Sequence, residues 1–291
     1  MRNWTRKQRD IIAATLFLIP GFLLYLSFFV YPLIFCFYTS SFRWTTVVKG
    51  NFIGIANFIK MAREPLFWNA LWNSVYLTVG TIPAYVVLSL LLAIIINQRI
   101  KGIGIFRTCY YIPVITSLVA VAIIWIWLYD YRYGLFNTML AKVGLPRGTW
   151  LKRENTAMPS LILMLIWKRV GFFMVLYLAG LQGISETYYE SARIDGANKW
   201  QCLIYITVPL LRPVIFVVII MSCIMTWREF TSIYVMTDGG PLHSTEVLVY
   251  YLYDVGFNSY KMGYGSAVAV VMFVILLTFT LSQWRLRKAA Q

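Results

Sequence analysis

Apolar residues run almost unbroken through six stretches of this chain, at 11–38, 69–97, 106–130, 158–182, 209–236 and 264–284, with polar and turn-forming residues gathered between them. A bilayer core takes about 20 apolar residues per helical crossing, and every stretch is long enough. The pattern predicts an all-α membrane protein of six transmembrane helices. Pro20, Pro32, Pro83 and Pro113 fall inside the first three stretches and predict kinks, which membrane helices tolerate when neighbours satisfy the freed carbonyls. Trp68, Trp72, Trp125, Trp127, Tyr129 and Trp284 gather near predicted ends, where amphipathic rings suit the lipid–water interface.

Composition strengthens this reading. Hydrophobic residues make up 60% of the chain and charged residues 13%, against about half and about a quarter in a soluble domain. The net charge of +15 raises the question of a nucleic-acid partner. The basic residues are scattered between apolar runs and form no stripe, so the partner they imply is the lipid bilayer. Basic density gives the orientation. Segments 1–10, 98–105, 183–208 and 285–291 hold eleven Lys and Arg in 51 positions; 39–68, 131–157 and 237–263 hold ten in 84. The first set is expected inside, with both termini cytosolic. The organisation expected is a cytosolic tail at 1–10, a six-span domain at 11–291 and, within it, a prominent inner loop at 183–208. The stretch 11–37 exceeds a signal-peptide core and is expected to be an uncleaved first span. Segment 131–157 is expected to be a loop, and 57–72 a short interfacial helix.

Chemistry for catalysis is scarce. No G-x-x-x-x-G-K-[ST], G-x-S-x-G or H-E-x-x-H occurs, so the chain has no P-loop and no familiar hydrolytic constellation. His243 stands alone in a predicted outer loop and is expected to be solvated. Cys36, Cys109, Cys202 and Cys223 lack metal spacing and are expected as free thiols, Cys202 in a polar loop. An enzyme is disfavoured; transport, a channel or a scaffold remain.

The inner loop before the fifth stretch reads SETYYESARIDGANKWQCLIYITVPLLRP from Ser185 to Pro213. Thr187 and Glu190 have capping-box spacing for a first helix. Gly196 is placed to end it in a left-handed conformation. A second helix is expected from Ala197 to Tyr205, with Pro209 marking entry into the next span. Physics alone leaves two readings: a knob presented to the cytosol, or a helix lying on lipid headgroups.

This loop resembles that of the permease subunits of binding-protein-dependent ABC importers, whose pattern is E-A-A-x3-G-x9-I-x-L-P. Here Glu190, Ser191 and Ala192 are followed by Gly196 and then Ile206, Thr207, Val208 and Pro209. Ser191 and Val208 depart from the pattern by small or apolar replacements. The runs YESARIDGAN at 189–198, YVMTDGGPLHST at 234–245 and the first span are similar to carbohydrate importers of the maltose, multiple-sugar and glycerol-3-phosphate type. The resemblance implies an ABC type I importer permease that forms half of a pathway in the cytoplasmic membrane of a bacterium or archaeon. It implies a second homologous permease as a heterodimer partner, two ATP-binding subunits and an extracytoplasmic solute-binding protein. No cofactor is implied in this chain; ATP and Mg would sit on the partner ATPases. Glu190, Ser191, Ala192, Asp195 and Gly196 would couple to the ATPase, with Asp195 and Gly196 setting the bend.

Four charged residues fall well inside predicted spans, away from their ends: Lys168 and Arg169 in the fourth, Arg228 and Glu229 in the fifth. A charge at a span's centre costs roughly 2.5–3.5 kcal/mol on insertion scales, so each must face protein, a counter-charge or a watery cavity. One reading is a cationic pathway for an anionic ligand (a uronate oligosaccharide, a phosphorylated polyol or a sulfonated sugar), with Trp167, Phe172, Phe173, Trp227 and Phe230 stacking on sugar rings. The other is an ion-pair network in which Glu229 neutralises Arg169 or Arg228, with a neutral saccharide as cargo. A secondary transporter or channel subunit using Glu229 for ion coupling is the rival class.

Overall fold

The computed structural model describes residues 5–45, 48–98 and 103–289. Arg2, Arg99 and Lys101, counted above for orientation, lie outside them. The described residues are helical throughout, apart from loops and one isolated bridge between Phe42 and Phe52. Helix α1 (Arg6–Tyr25) passes through a π-helical turn into α2 (Tyr31–Ser40), and α3 (Ala56–Arg63) precedes α4 (Pro65–Ile96). Then come α5 (Ile103–Ile115), α6 (Leu118–Leu128), α7 (Leu135–Lys142) and α8 (Glu154–Gln182). The inner-loop sequence forms α9 (Glu186–Ile194) and α10 (Lys199–Cys202), followed by α11 (Val208–Leu210), α12 (Arg212–Trp227), α13 (Thr231–Met236), α14 (Leu248–Tyr253) and α15 (Met262–Ala289). Among the described residues four helices are long and apolar enough to cross a membrane, or up to six if each of two bent pairs is one span.

Several boundaries differ from expectation for local reasons. The first helix starts at Arg6, inside the predicted tail, since Arg, Lys and Gln are good helix formers. The short helix expected at 57–72 stops at Arg63. Glu64 is extended (φ −86°, ψ 114°), the conformation that a following proline imposes. Pro65 then opens α4, where a missing N–H costs nothing. The third span is broken: α5 and α6 meet at 100° across Thr116 and Ser117. The fifth stops at Trp227 and resumes at Thr231. Segment 131–157 is not a plain loop. It holds α7 and a short 3-10 turn at Trp150–Lys152. Asn137 ties it together by accepting from the Gly148 N–H (2.8 Å) and from Trp150 Nε1 (3.0 Å).

The chain divides into two compact units, residues 1–64 with 252–275, and 65–251 with 276–291. In the first, the Thr39 hydroxyl donates to Ser266 Oγ at 2.8 Å and Asn57 Nδ2 donates to the Ser40 and Phe42 carbonyls. The second carries the candidate site. There α4 lies along α8, and Gly171 lets α5 approach so closely that a Cβ would strike the Tyr110 carbonyl oxygen. Two hydrophobic clusters follow one another along α8. One contains Met158, Leu161 and Leu165 with Leu77, Trp125 and Ile233. The other contains Phe173, Tyr177 and Leu181 with Tyr85, Leu211 and Val218. Lys168 and Arg169 fall between them.

Candidate functional site

Adjacent residues on a helix point about 100° apart, so Lys168 and Arg169 serve different neighbours. Lys168 is buried, and its Nζ donates to the carbonyls of Pro113 (2.5 Å), Val114 (2.9 Å) and Thr116 (2.8 Å). Those carbonyls belong to the end of α5, where the helix stops and its last acceptors have no following N–H. An ammonium has three donors, and here each meets one orphan acceptor at the negative end of a helix dipole. The lysine therefore caps one half of a broken span.

Arg169 turns to the other broken span. Its Nη2 is ion-paired with Glu229 Oε2. Glu229 is buried, and its Oε1 accepts from the Ser232 N–H (3.1 Å) and Ser232 Oγ (2.8 Å). The carboxylate thus caps the start of α13 while neutralising a cation on α8. Burying a guanidinium and a carboxylate is tolerable only when both are paired and hydrogen-bonded. Arg169 Nη1 and the Tyr85 hydroxyl are also buried and have no hydrogen-bond partner within the described residues. Arg228, next to Glu229, is exposed and has no ion pair among the described residues.

The aromatic candidates separate as well. Trp167 is half exposed and packs against Trp125 with ring centroids 5.6 Å apart. Phe172 is partly exposed and meets Phe173 edge-on. Phe173 and Trp227 are buried, so both are packing residues. Phe230 stacks on Tyr234 and on Tyr250.

The loop before α11 is a helix, a break and a second short helix. Its first helix begins two residues earlier than the expected capping box: Ser185 is the N-cap and its hydroxyl accepts from the Thr187 N–H at 3.4 Å. The full capping box lies instead at the second helix, where Asn198 and Gln201 accept from each other's backbone N–H at 2.9 and 2.7 Å. That helix is shorter than the expected 197–205 and passes into a π-helical turn at Leu203–Thr207. Gly196 adopts φ +84°, and the Ala197 N–H donates to the Ala192 carbonyl at 2.8 Å. The left-handed glycine expected there thus ends the helix, and the bond completes a Schellman closure. A Cβ at Gly196 would meet nothing within 4 Å, so backbone conformation, not crowding, makes it a glycine. Tyr189 joins the two limbs through Thr207 (3.0 Å between hydroxyl oxygens). Cys202, expected in a polar loop, is buried. Glu190, Ser191, Asp195 and Gly196 are exposed, and Ala192 is half-buried. Ile194, Trp200 and Tyr205 stand out beside them at 86%, 70% and 74% exposure, an apolar surface that a solvated loop would not keep.

Sequence reasoning missed the acceptors of Lys168, the Ser232 donors to Glu229, and the Asn198–Gln201 box. The last was readable as an Asx residue three before a Gln. The others required knowing where α5 and α12 stop. His243, expected to be solvated, is exposed; it also bonds Glu246 through Nδ1, and its carbonyl accepts from Asn69 (2.8 Å) and Asn73 (2.9 Å).

Comparison with known proteins is consistent along the whole chain. Residues 50–288 match the family model described as "Binding-protein-dependent transport system inner membrane component". The sulfoquinovosyl glycerol transport system permease protein SmoG of Agrobacterium fabrum is 36% identical, over 96% of this chain and 92% of its own. The trehalose/maltose transport system permease protein MalF of Thermococcus litoralis is 33% identical, over 94% and 93%. A chain in the crystal structure of a bacterial alginate ABC transporter, in complex with its alginate pentasaccharide-bound periplasmic protein, superposes with a TM-score of 0.84 at 25% identity, covering 97% of this chain and 96% of that one. A helical chain with four to six apolar spans and this loop, matched at this level over nearly its full length, belongs to the membrane-embedded permease subunits of binding-protein-dependent sugar ABC importers.

Proposed function

We propose that the chain forms half of the translocation pathway for a saccharide. A second homologous permease supplies the other half, two ATP-binding subunits supply energy, and an extracytoplasmic solute-binding protein delivers the ligand. Both termini and loop 183–208 face the cytosol. Members of this family are not themselves enzymes, so energy must enter through a protein contact. The observation that carries the reading is the exposed face of α9. Glu190 and Asp195 have no ion-pair partner among the described residues and, with exposed Ser191, stand beside exposed Ile194, with Gly196 turning the chain behind them. Closure of the ATPases on ATP would pull this knob and rock the spans between two accessibility states, as a ligand binding two states unequally must do.

Glu229 as an ion-coupling carboxylate, the secondary-transporter alternative, has little to support it. Both of its oxygens are engaged, and the chain's family is that of ATP-driven importers. For the cargo, Lys168 and Arg169 favour the network reading, because their donors serve carbonyls and Glu229. An acidic saccharide is supported by exposed Arg228 and by relatives named for alginate and sulfoquinovosyl glycerol; the trehalose/maltose relative supports a neutral one. The test of coupling is copurification. With Glu190→Ala and Gly196→Val together, the ATPase subunit should be lost from the purified permease while the permease itself remains folded. An ATPase that stays bound at the wild-type ratio overturns the assignment.

A further inference from the structure

Loop 185–207 does not close flat against the ends of α4 and α8. A cavity of about 660 Å³ lies between them, walled by Leu91, Ile94, Ile95 and Leu203, with Lys199 and Trp200 also on its wall. A second cavity of about 650 Å³ shares Asn97, Gln98, Tyr189 and Arg193 with the first and adds Arg107. The first chamber is hydrocarbon; the second is polar. Among the described residues, three cations line the pair (Arg107, Arg193 and Lys199) against one acid, Glu186. Arg193 and Lys199 have no ion pair among the described residues. Among the described residues, Arg107 Nη2 reaches only the Ile96 carbonyl, at 3.5 Å, and its Nε is buried without a hydrogen-bond partner.

A ligand for joined apolar and cationic chambers is an anionic amphiphile. We infer that this is a site for an anionic phospholipid, with an acyl chain against Leu91, Ile94 and Ile95 and the headgroup phosphate between Arg107 and Arg193. Guanidinium forks match phosphate oxygens, and basic pockets at the cytosolic interface select anionic headgroups. A free phosphate would leave the hydrocarbon chamber unmatched, and a zwitterionic lipid would leave the cations unmatched. Placing the cavity at the cytosolic leaflet rests on the proposed orientation. The lipid would then brace the coupling loop against the spans.

The test is retained lipid. The transporter is purified with its partner subunits and exchanged into an equal mixture of phosphatidylglycerol and phosphatidylcholine of matched chains. Bound lipid is then counted by native mass spectrometry. Phosphatidylglycerol should be retained with a preference on the order of tenfold, falling close to parity in Arg107→Gln/Arg193→Gln with the ATPase still bound. Arg193→Gln alone, at an exposed position, should reduce the preference part-way. Ile95→Trp, which fills the apolar chamber, should reduce retention of both lipids. Equal retention by the wild type overturns the site. So does a preference untouched by the double change, or loss of the ATPase with the preference intact, which assigns the cations to a protein partner. If no ATPase copurifies with the wild type, the importer reading fails on its own, and lipid retention is still read on the permease.

Discussion

The charges halfway along α8 and those on the loop beyond its end are treated in opposite ways. Lys168 and Glu229 are buried and Arg169 is partly buried; the Lys168 ammonium, Arg169 Nη2 and both Glu229 carboxylate oxygens are engaged inside the chain. Glu190 and Asp195 are exposed and make no internal ion pair among the described residues. A charge in low dielectric must be satisfied by the fold, whereas one on a solvated knob can be kept for a partner. The difference shows why an ionisable residue inside an apolar stretch is a weak pointer to ligand binding. Its first obligation is to its own protein. In both broken spans the fold turns that obligation to use, since each buried charge caps a helix end that the break exposes.

The sharpest way to break the comparison is at the buried pair. Glu229→Ala leaves Arg169 unpaired and α13 uncapped; removing one partner of a buried pair costs about 3–5 kcal/mol. Loss of most folded permease on size-exclusion chromatography is expected, while Glu190→Ala should elute as wild type. Equal behaviour of the two variants would erase the distinction. Next in size is Lys168→Met, which takes three hydrogen bonds from the end of α5. Hydrogen bonding to a charged donor is worth roughly 1.5–3 kcal/mol, the three bonds of one ammonium do not add, and the carbonyls then lose this partner. A clear drop in Tm is expected, partly recovered by Lys168→Arg; an unchanged Tm would show that the break holds without its cap.

A smaller effect is expected at Gly196→Ala. The added methyl meets open space, so the cost is the left-handed backbone alone, about 1–2 kcal/mol. This should loosen the knob, seen as faster amide exchange over 190–201, with global Tm little moved. Smallest in stability is Arg228→Gln, for an exposed side chain within about 0.5 kcal/mol of neutral. Its expected signature is functional: uptake of an acidic saccharide reduced about tenfold, the worth of one charged hydrogen bond, with assembly intact. Unchanged uptake would leave the neutral-saccharide reading standing.

Legibility followed the range of the interactions. The six apolar stretches were readable because burying about 20 residues in hydrocarbon is a sum over one local segment. Gly196 was readable because a left-handed turn depends on a single residue's backbone. Ser185 was passed over in favour of Thr187 because both are good caps, and only the chain's entry into the helix chooses between them. Pro113 signalled a kink, yet the 100° break falls three residues later, at Thr116 and Ser117. The free end of α5 had to find Lys168, 52 or more residues away.

The amino-acid order by itself determined that the chain is a helical membrane protein, that it lacks a P-loop, and that a turn at Gly196 divides its inner loop. All three depend on residue type and short spacing. Tertiary structure alone decided that Lys168 and Arg169, neighbours in the chain, would serve two different broken spans. It also decided that Trp227 would be packed away and Arg228 left open. Those outcomes depend on which helix ends lie within about 3 Å of a charged group, a distance that emerges only when the spans pack.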